Sequence, residues 1–240
     1  MRRNPALGIL GTVVDYLLGG PKVGGPDEER LRRWFAVSAQ PPGLPHAHAR
    51  YVVVDTETTG LDLKRDRVIS IGAAGVDRGV LRLADCFEVV LRQERASPDA
   101  NILIHRIGGE AQLAGVEPKQ GVLAFLEFTA KSPLVAFRAE FDRTMLARAV
   151  KSVLGVPFHH PWIDLAVLLP ALFAGTEANT LDDWIDHFGL PRAGRHHALA
   201  DAFATAQLLQ IVLATADRVG MGTAADLIAF GKPFISNPDL

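Results

Sequence analysis

A mixed β-sheet flanked by helices is the α/β fold class that this sequence predicts, and three observations predict it. Tyr51-Val52-Val53-Val54 is a continuous apolar, β-branched run, the pattern of a central strand covered on both faces. Two more strand patterns follow directly, Val68 to Val76 and Val80 to Leu91, with a hairpin turn at Asp77 to Gly79. Beyond them helical segments gather around one further short strand, Pro133 to Phe137. Strands first, then helices, indicate a sheet with helices packed on it.

The elements fall in order along 240 residues, ample for one α/β domain with appendages. Residues 1–49 read as an N-terminal helical and linker appendage. Within it, Ala6 to Leu18 is largely apolar and follows two arginines, which superficially resembles a signal peptide. Asp15 interrupts that run, and the run is too short to span a bilayer, so a short amphipathic helix and no stable membrane association are expected. Gly19 to Pro26 is a break, Asp27 to Phe35 a charged helix, and Pro41 to Pro45 a proline-rich loop. Residues 50–217 form the main domain. Its helices are expected at Pro98 to Ile107, Pro118 to Ala130, Glu140 to Leu154, Asp164 to Phe173, Thr180 to Phe188 and His197 to Ala216. Residues 218–240 read as a short C-terminal tail.

Composition narrows the function. Hydrophobic residues make up 48% and charged residues 22%, so a buried core is expected rather than disorder. One cysteine, Cys86, excludes an intrachain disulfide and a cysteine-based zinc site, and fits the reducing cytoplasm. The formal net charge is −2, with 25 basic against 27 acidic residues. That balance argues against a stable, high-affinity nucleic-acid binder, which would carry a basic excess. It leaves room for an enzyme that releases its substrate at each turnover, with bound metal supplying positive charge.

The sharpest local signal is Asp55-Thr56-Glu57-Thr58-Thr59-Gly60, at the C-terminal end of the apolar strand, where open α/β sheets place their sites. Residues i and i+2 of a strand point to one face, so Asp55 and Glu57 project side by side. Adjacent desolvated carboxylates repel, and a hard divalent cation with oxygen ligands removes that penalty. Taken alone, Asp-x-Glu also fits a solvated turn. Asp142 opens the helix after the short strand, where it would also favour the helix N-terminus. Asp201 lies within an otherwise apolar and small-residue helix. His196 stands five residues before it, beside His197.

Together these segments resemble a known family. Val52 to Leu61 resembles the first motif of the DnaQ-like exonucleases, and His196-His197-Ala198-Leu199-Ala200-Asp201 their third, in the His-x-Ala-x-x-Asp form of the DEDDh subgroup. Val135 to Asp142 is similar to the second motif in its Phe141-Asp142 end, and Leu181 to Leu190 resembles the segment preceding the third. The first motif is closer to polymerase-proofreading members than to oligoribonuclease-type members. The resemblance runs from Tyr51 to Ala216 and implies a ribonuclease H-like fold.

It also implies roles. Asp55, Glu57, Asp142 and Asp201 would bind two magnesium ions, with manganese able to substitute, and His196 would deprotonate the attacking water. Ile104-His105-Arg106-Ile107 resembles a stretch whose histidine contacts substrate, which makes His105 a candidate, with Arg106 replacing the family glycine. Thr58 and Leu61 match positions lining the pocket for the terminal nucleotide. Phe137-Arg138 stands where the family carries His-Asn; Arg138 would touch a phosphate or point to solvent. Two metals roughly 3.5–4 Å apart can serve both the entering and leaving oxygens of a phosphodiester. A histidine, which titrates near neutrality, suits the proton transfer.

The implied activity is 3′→5′ removal of nucleotides from DNA, with single-stranded 3′ ends preferred and a DNA polymerase as a partner. Two alternatives stand beside it: an exoribonuclease of the same fold, and a nuclease-like accessory module docking through residues 1–49.

Overall fold

Why the Tyr51–Val54 run is apolar on both sides is visible in a computed structural model, which describes residues 25–191, 194 and 196–231. The expected helix at Ala6 to Leu18 and most of the Phe230 to Leu240 stretch lie outside these residues. Strand β1 (Arg50–Thr58) sits mid-sheet. Tyr51 and Val53 enter one core, Val52 and Val54 another on the opposite face, and all four are almost wholly buried. At about 1.5–3 kcal/mol for each fully buried large apolar side chain, this run anchors the domain.

Strands β2 (Val68–Asp77) and β3 (Val80–Val90) form the expected hairpin. With β4 (Leu134–Ala136) and β5 (Trp162–Asp164) they make one sheet in the order β3-β2-β1-β4-β5. β1 runs antiparallel to β2 and parallel to β4, so the sheet is mixed. β2 is buried along almost its whole length, whereas the edge strand β3 is largely half-buried or exposed. β5 lies outside the strands read from sequence: three residues are too few for a periodic signal, and pairing to β4 defines them.

Among the described residues, a 3₁₀ turn at His46–His48 and nine α-helices accompany this sheet. The helices are α1 (Pro26–Ala36), α2 (Asp99–His105), α3 (Gly109–Leu113), α4 (Pro118–Thr129), α5 (Ala139–Leu154), α6 (Leu165–Leu172), α7 (Leu181–His187), α8 (Ala198–Arg218) and α9 (Ala224–Phe230). Buried side chains of α4 and α5 meet Val52 and Val54 on one face. Those of α6, α7, α8 and α9 meet Tyr51 and Val53 on the other. α8 is long and apolar enough to cross a membrane by length and composition, but more than half of that stretch is buried within this protein.

The flanking segments pack on the same body. Leu31 and Trp34 of α1 enter the α4/α5 core, Arg30 makes a two-pronged bond to Glu127, and Trp34 Nε1 donates to the Ala130 carbonyl at 2.9 Å. On the other face His46 N donates to the Gly222 carbonyl and Ala225 N to that of Pro42. α9, absent from the sequence reading, begins with a Thr223/Asp226 capping box.

Candidate active site

Strand pleating puts Asp55 and Glu57 on the α8 face of β1, beyond the buried Tyr51 and Val53. The third carboxylate comes from α8. Asp201 lies in the first turn of that helix, 5% exposed, and one oxygen from each of Asp55, Glu57 and Asp201 lies within 4.8 Å of the others.

A glycine permits this approach. Gly72 of β2 pairs with Asp55, and a Cβ built on it would fall 2.1 Å from the Ala198 carbonyl carbon and from Leu199 N. Real Cβ atoms do not come that close to backbone. The bare backbone of Gly72 therefore lets the start of α8 rest on the sheet opposite Asp55, which delivers Asp201. Signals for this were present but unread: Gly72 sits inside an otherwise strand-like run, where an isolated glycine marks close backbone approach.

His196 precedes α8 with a left-handed backbone, φ 60°, a region histidine enters more readily than most residues. This turn directs its N–H to Asp201 Oδ2 at 3.1 Å and leaves the side chain exposed. His197 caps α8 and places Nε2 3.2 Å from Glu88 Oε1 of β3. The two adjacent histidines are thus distinguished by partner: one is tied to the acidic cluster, the other to the sheet edge.

Asp142 lies on the other side of β1. It sits in the first turn of α5, 5% exposed, and its Oδ1 accepts a 2.7 Å bond from the hydroxyl of Thr56, the residue between Asp55 and Glu57. Burial pushes its pKa up to about 7, the Thr56 bond opposes the shift, and the Asp164 charge adds to it. The structure thus brings together Asp55, Glu57 and Asp201, and holds Asp142 against the same strand outside that group.

Asp164 escaped the sequence reading as more than a helix start. Its carboxylate caps α6 through Ala166 N at 2.9 Å and reaches back to Arg138 N at 2.9 Å and Ala139 N at 3.0 Å. It therefore anchors the start of α5, and with it Asp142. The helix cap was legible as Asp before an apolar run, but the reach to residues 26 and 25 positions away was not.

The remaining candidates sit around the strand end. Thr58 Oγ1 donates to the Gly60 carbonyl at 2.6 Å, and Leu61 is 85% exposed. His105 is 2% exposed, neither an open surface histidine nor a free contact group. Its Nε2 is 3.2 Å from Ser97 Oγ, its Nδ1 accepts from Ile107 N at 3.0 Å, and burial lowers its pKa. Both ring nitrogens are engaged with the segment around its own helix, so the expected contact with substrate remains a proposal. Arg138 is exposed, and its Nη2 donates to the Asn179 carbonyl. Its φ of 64° lies in the region asparagine enters more readily than arginine, which gives a backbone reason for the family asparagine there.

Three carboxylates converging at one strand end suit a divalent cation with oxygen ligands. Comparison with known proteins agrees with that chemistry. The family described as exonuclease matches residues 52–209, and the chain belongs to this family. A DNA polymerase III of PolC type from Thermotoga petrophila is 29% identical over 185 residues, covering 75% of this chain and 13% of that protein. The chain therefore spans only a small part of that relative. The DNA polymerase III subunit epsilon of Aquifex aeolicus is 28% identical, covering 68% of this chain and 80% of the subunit. Among solved structures, Exonuclease X in complex with 5′ overhanging duplex DNA shares the fold, with a TM-score of 0.59 at 22% identity, over 76% of this chain and 99% of that one.

Proposed function

We propose that the chain is a magnesium-dependent 3′→5′ exonuclease that removes nucleotides from DNA 3′ ends, with single strands preferred. The observation that carries this reading is the meeting of Asp55, Glu57 and Asp201 oxygens within 4.8 Å at the end of β1. Such a group is electrostatically unfavourable by itself and suited to hard cations, for which magnesium is the common choice and manganese a substitute. When bound, two such ions would activate water and neutralise charge on the scissile phosphate.

The chain's own groups supply the rest. Asp55, Glu57 and Asp201 hold the cations, and Asp142 completes the set of four. Positive charge nearby would favour its ionised form. His196 takes the proton of the attacking water from an exposed side chain whose backbone is pinned to Asp201. His197 is the poorer base, since its Nε2 already faces Glu88. Thr58 and the exposed Leu61 border the terminal nucleotide, with α2 tied to this loop through Asn101 and the Thr59 carbonyl. The names of the polymerase III relatives suggest a DNA polymerase as partner.

The test is degradation of 5′-labelled and 3′-labelled single-stranded DNA, and matched RNA, with magnesium, manganese or chelator. A ladder from the 5′ label, immediate mononucleotide from the 3′ label, faster loss of DNA and no reaction in chelator are expected. Shortening from the 5′ end, or activity undiminished by chelator, would refute the reading, and faster loss of RNA would move the substrate to RNA.

A further inference from the structure

On the α4/α5 side of the β1–β2 loop lies a cavity of about 620 Å³ whose charge is the reverse of the chain's overall balance. Five cationic side chains line it, Arg65, Arg67, Arg92, Arg148 and Lys151, within a protein of net charge −2. Two acids reach the same lining. Asp66 turns its carboxylate into the loop, accepting from Thr59 Oγ1 and Asp62 N, both at 2.7 Å, and Glu94 stands 3.8 Å from Arg67. A second cavity, about 420 Å³, shares Arg148 and Lys151 and adds Arg143, which pairs with Glu140. Arg143 and Lys151 are two turns apart on α5, roughly 12 Å, so the cationic strip is long enough for more than one phosphate.

The groove is built rather than incidental. The Arg148 guanidinium donates to three loop carbonyls, those of Leu63 at 2.6 Å, Asp66 at 2.9 Å and Lys64 at 2.7 Å. Neutral acceptors fix the loop without cancelling the charge. The same loop leaves β1 after Thr58, so the groove opens beside the end of the strand that carries Asp55 and Glu57. Apolar side chains such as Val122 and Met145 floor it.

We propose that this groove binds the sugar–phosphate backbone of a nucleic-acid strand, holding nucleotides upstream of those at the acidic cluster. The inference rests on the exonuclease reading for the direction of the strand, and on the cations alone for binding. Arg92 and Lys151 are exposed and lie outside the acidic cluster, so they are the residues to reverse.

Fluorescence anisotropy of a labelled single-stranded DNA of about 20 nucleotides, in chelator across a salt series, measures binding without turnover. The Arg92→Glu/Lys151→Glu variant should bind at least about tenfold more weakly, with a salt slope flatter by about 1–2. Arg92→Gln/Lys151→Gln should give an intermediate loss. Arg78→Glu/Arg82→Glu makes the same change in net charge on the hairpin at the far end of the sheet and should bind like wild type, with thermal melts verifying that each variant folds. Unchanged affinity and slope in the groove variants overturn the proposal and leave the groove to an acidic protein partner. Equal loss in the hairpin variant also overturns it, since the effect would then be net charge alone. The catalytic reading is judged separately, by wild-type hydrolysis of the p-nitrophenyl ester of thymidine monophosphate, a substrate too small to reach the groove. Failure there would remove the exonuclease reading while anisotropy still decides the groove.

Discussion

β1 presents acidic groups on both faces, and the two faces treat them differently. Toward α8, Asp55, Glu57 and Asp201 crowd their oxygens within 4.8 Å. Toward α5, Asp142 is as inaccessible as Asp201 but stands apart from that group, with a hydroxyl donor from Thr56 and a pKa raised by burial. Without metal a buried carboxylate is tolerated by taking a hydrogen bond and holding its proton, and positive charge nearby would favour the ionised form that the proposed set of four requires. The two environments lie on opposite faces of one strand. The contrast teaches that residue type does not set the role of an acid here; the neighbours on its face do.

The strongest way to break the contrast is to remove a member of the crowded face. Asp55→Ala and Asp201→Ala should each lower magnesium-dependent nuclease activity by on the order of 10³-fold or more, since several kcal/mol of charge stabilisation is lost. Asp55→Ala should not melt lower in chelator, because like-charge repulsion is relieved, and in neither variant should magnesium give the rise in melting temperature expected of wild type. Near-normal rates in either variant would remove the metal assignment.

Next is the base. His196→Ala should lose a factor of about 10²–10⁴ in kcat, while His197→Ala keeps most of its rate. The reverse order would mean that the histidine facing Glu88 is the working one.

Gly72→Ala sharpens the comparison by disturbing only the α8 face. Its new methyl would meet the Ala198–Leu199 backbone, so a stability loss of about 1–3 kcal/mol in denaturant unfolding is expected. Activity should fall further than stability accounts for, because the displaced helix carries Asp201. Full activity with unchanged stability would show that the helix start has room to shift.

The smallest effect concerns the other face and appears in pH dependence. A raised pKa means that folded Asp142 holds its proton more tightly than the unfolded chain does. That contribution is complete below the ordinary carboxylate value of 3.8 and is lost as pH rises through about 7. Asp142→Asn keeps an acceptor for Thr56 and abolishes the titration. In chelator, its stability advantage over wild type should be small near pH 4, grow toward pH 7 and then level off. An advantage that shrinks with rising pH would contradict the burial argument.

Much of this molecule was legible in one dimension. The long helices and the β2–β3 hairpin follow from periodicity, and Asp55-x-Glu57 follows from strand geometry plus position at a strand end. Short elements were not legible: β5 has three residues, and pairing with β4, not propensity, makes it a strand. His105 could be read either as a substrate contact or as an exposed residue, and it is not exposed, because burial depends on what packs over α2.

By itself the sequence determined that a buried central strand would end in two same-facing carboxylates, because alternation is local and needs no partner. Only the tertiary structure decided which distant acids join them. Asp201 and Asp142 are both helix-borne, single, and remote in the chain, and nothing in their local sequence separates them. Gly72 lets α8 descend onto one face of β1, while Asp164 anchors the start of α5 on the other. Which acids share a cluster is set by how closely two backbones approach, and that distance is fixed by packing, not by spacing along the chain.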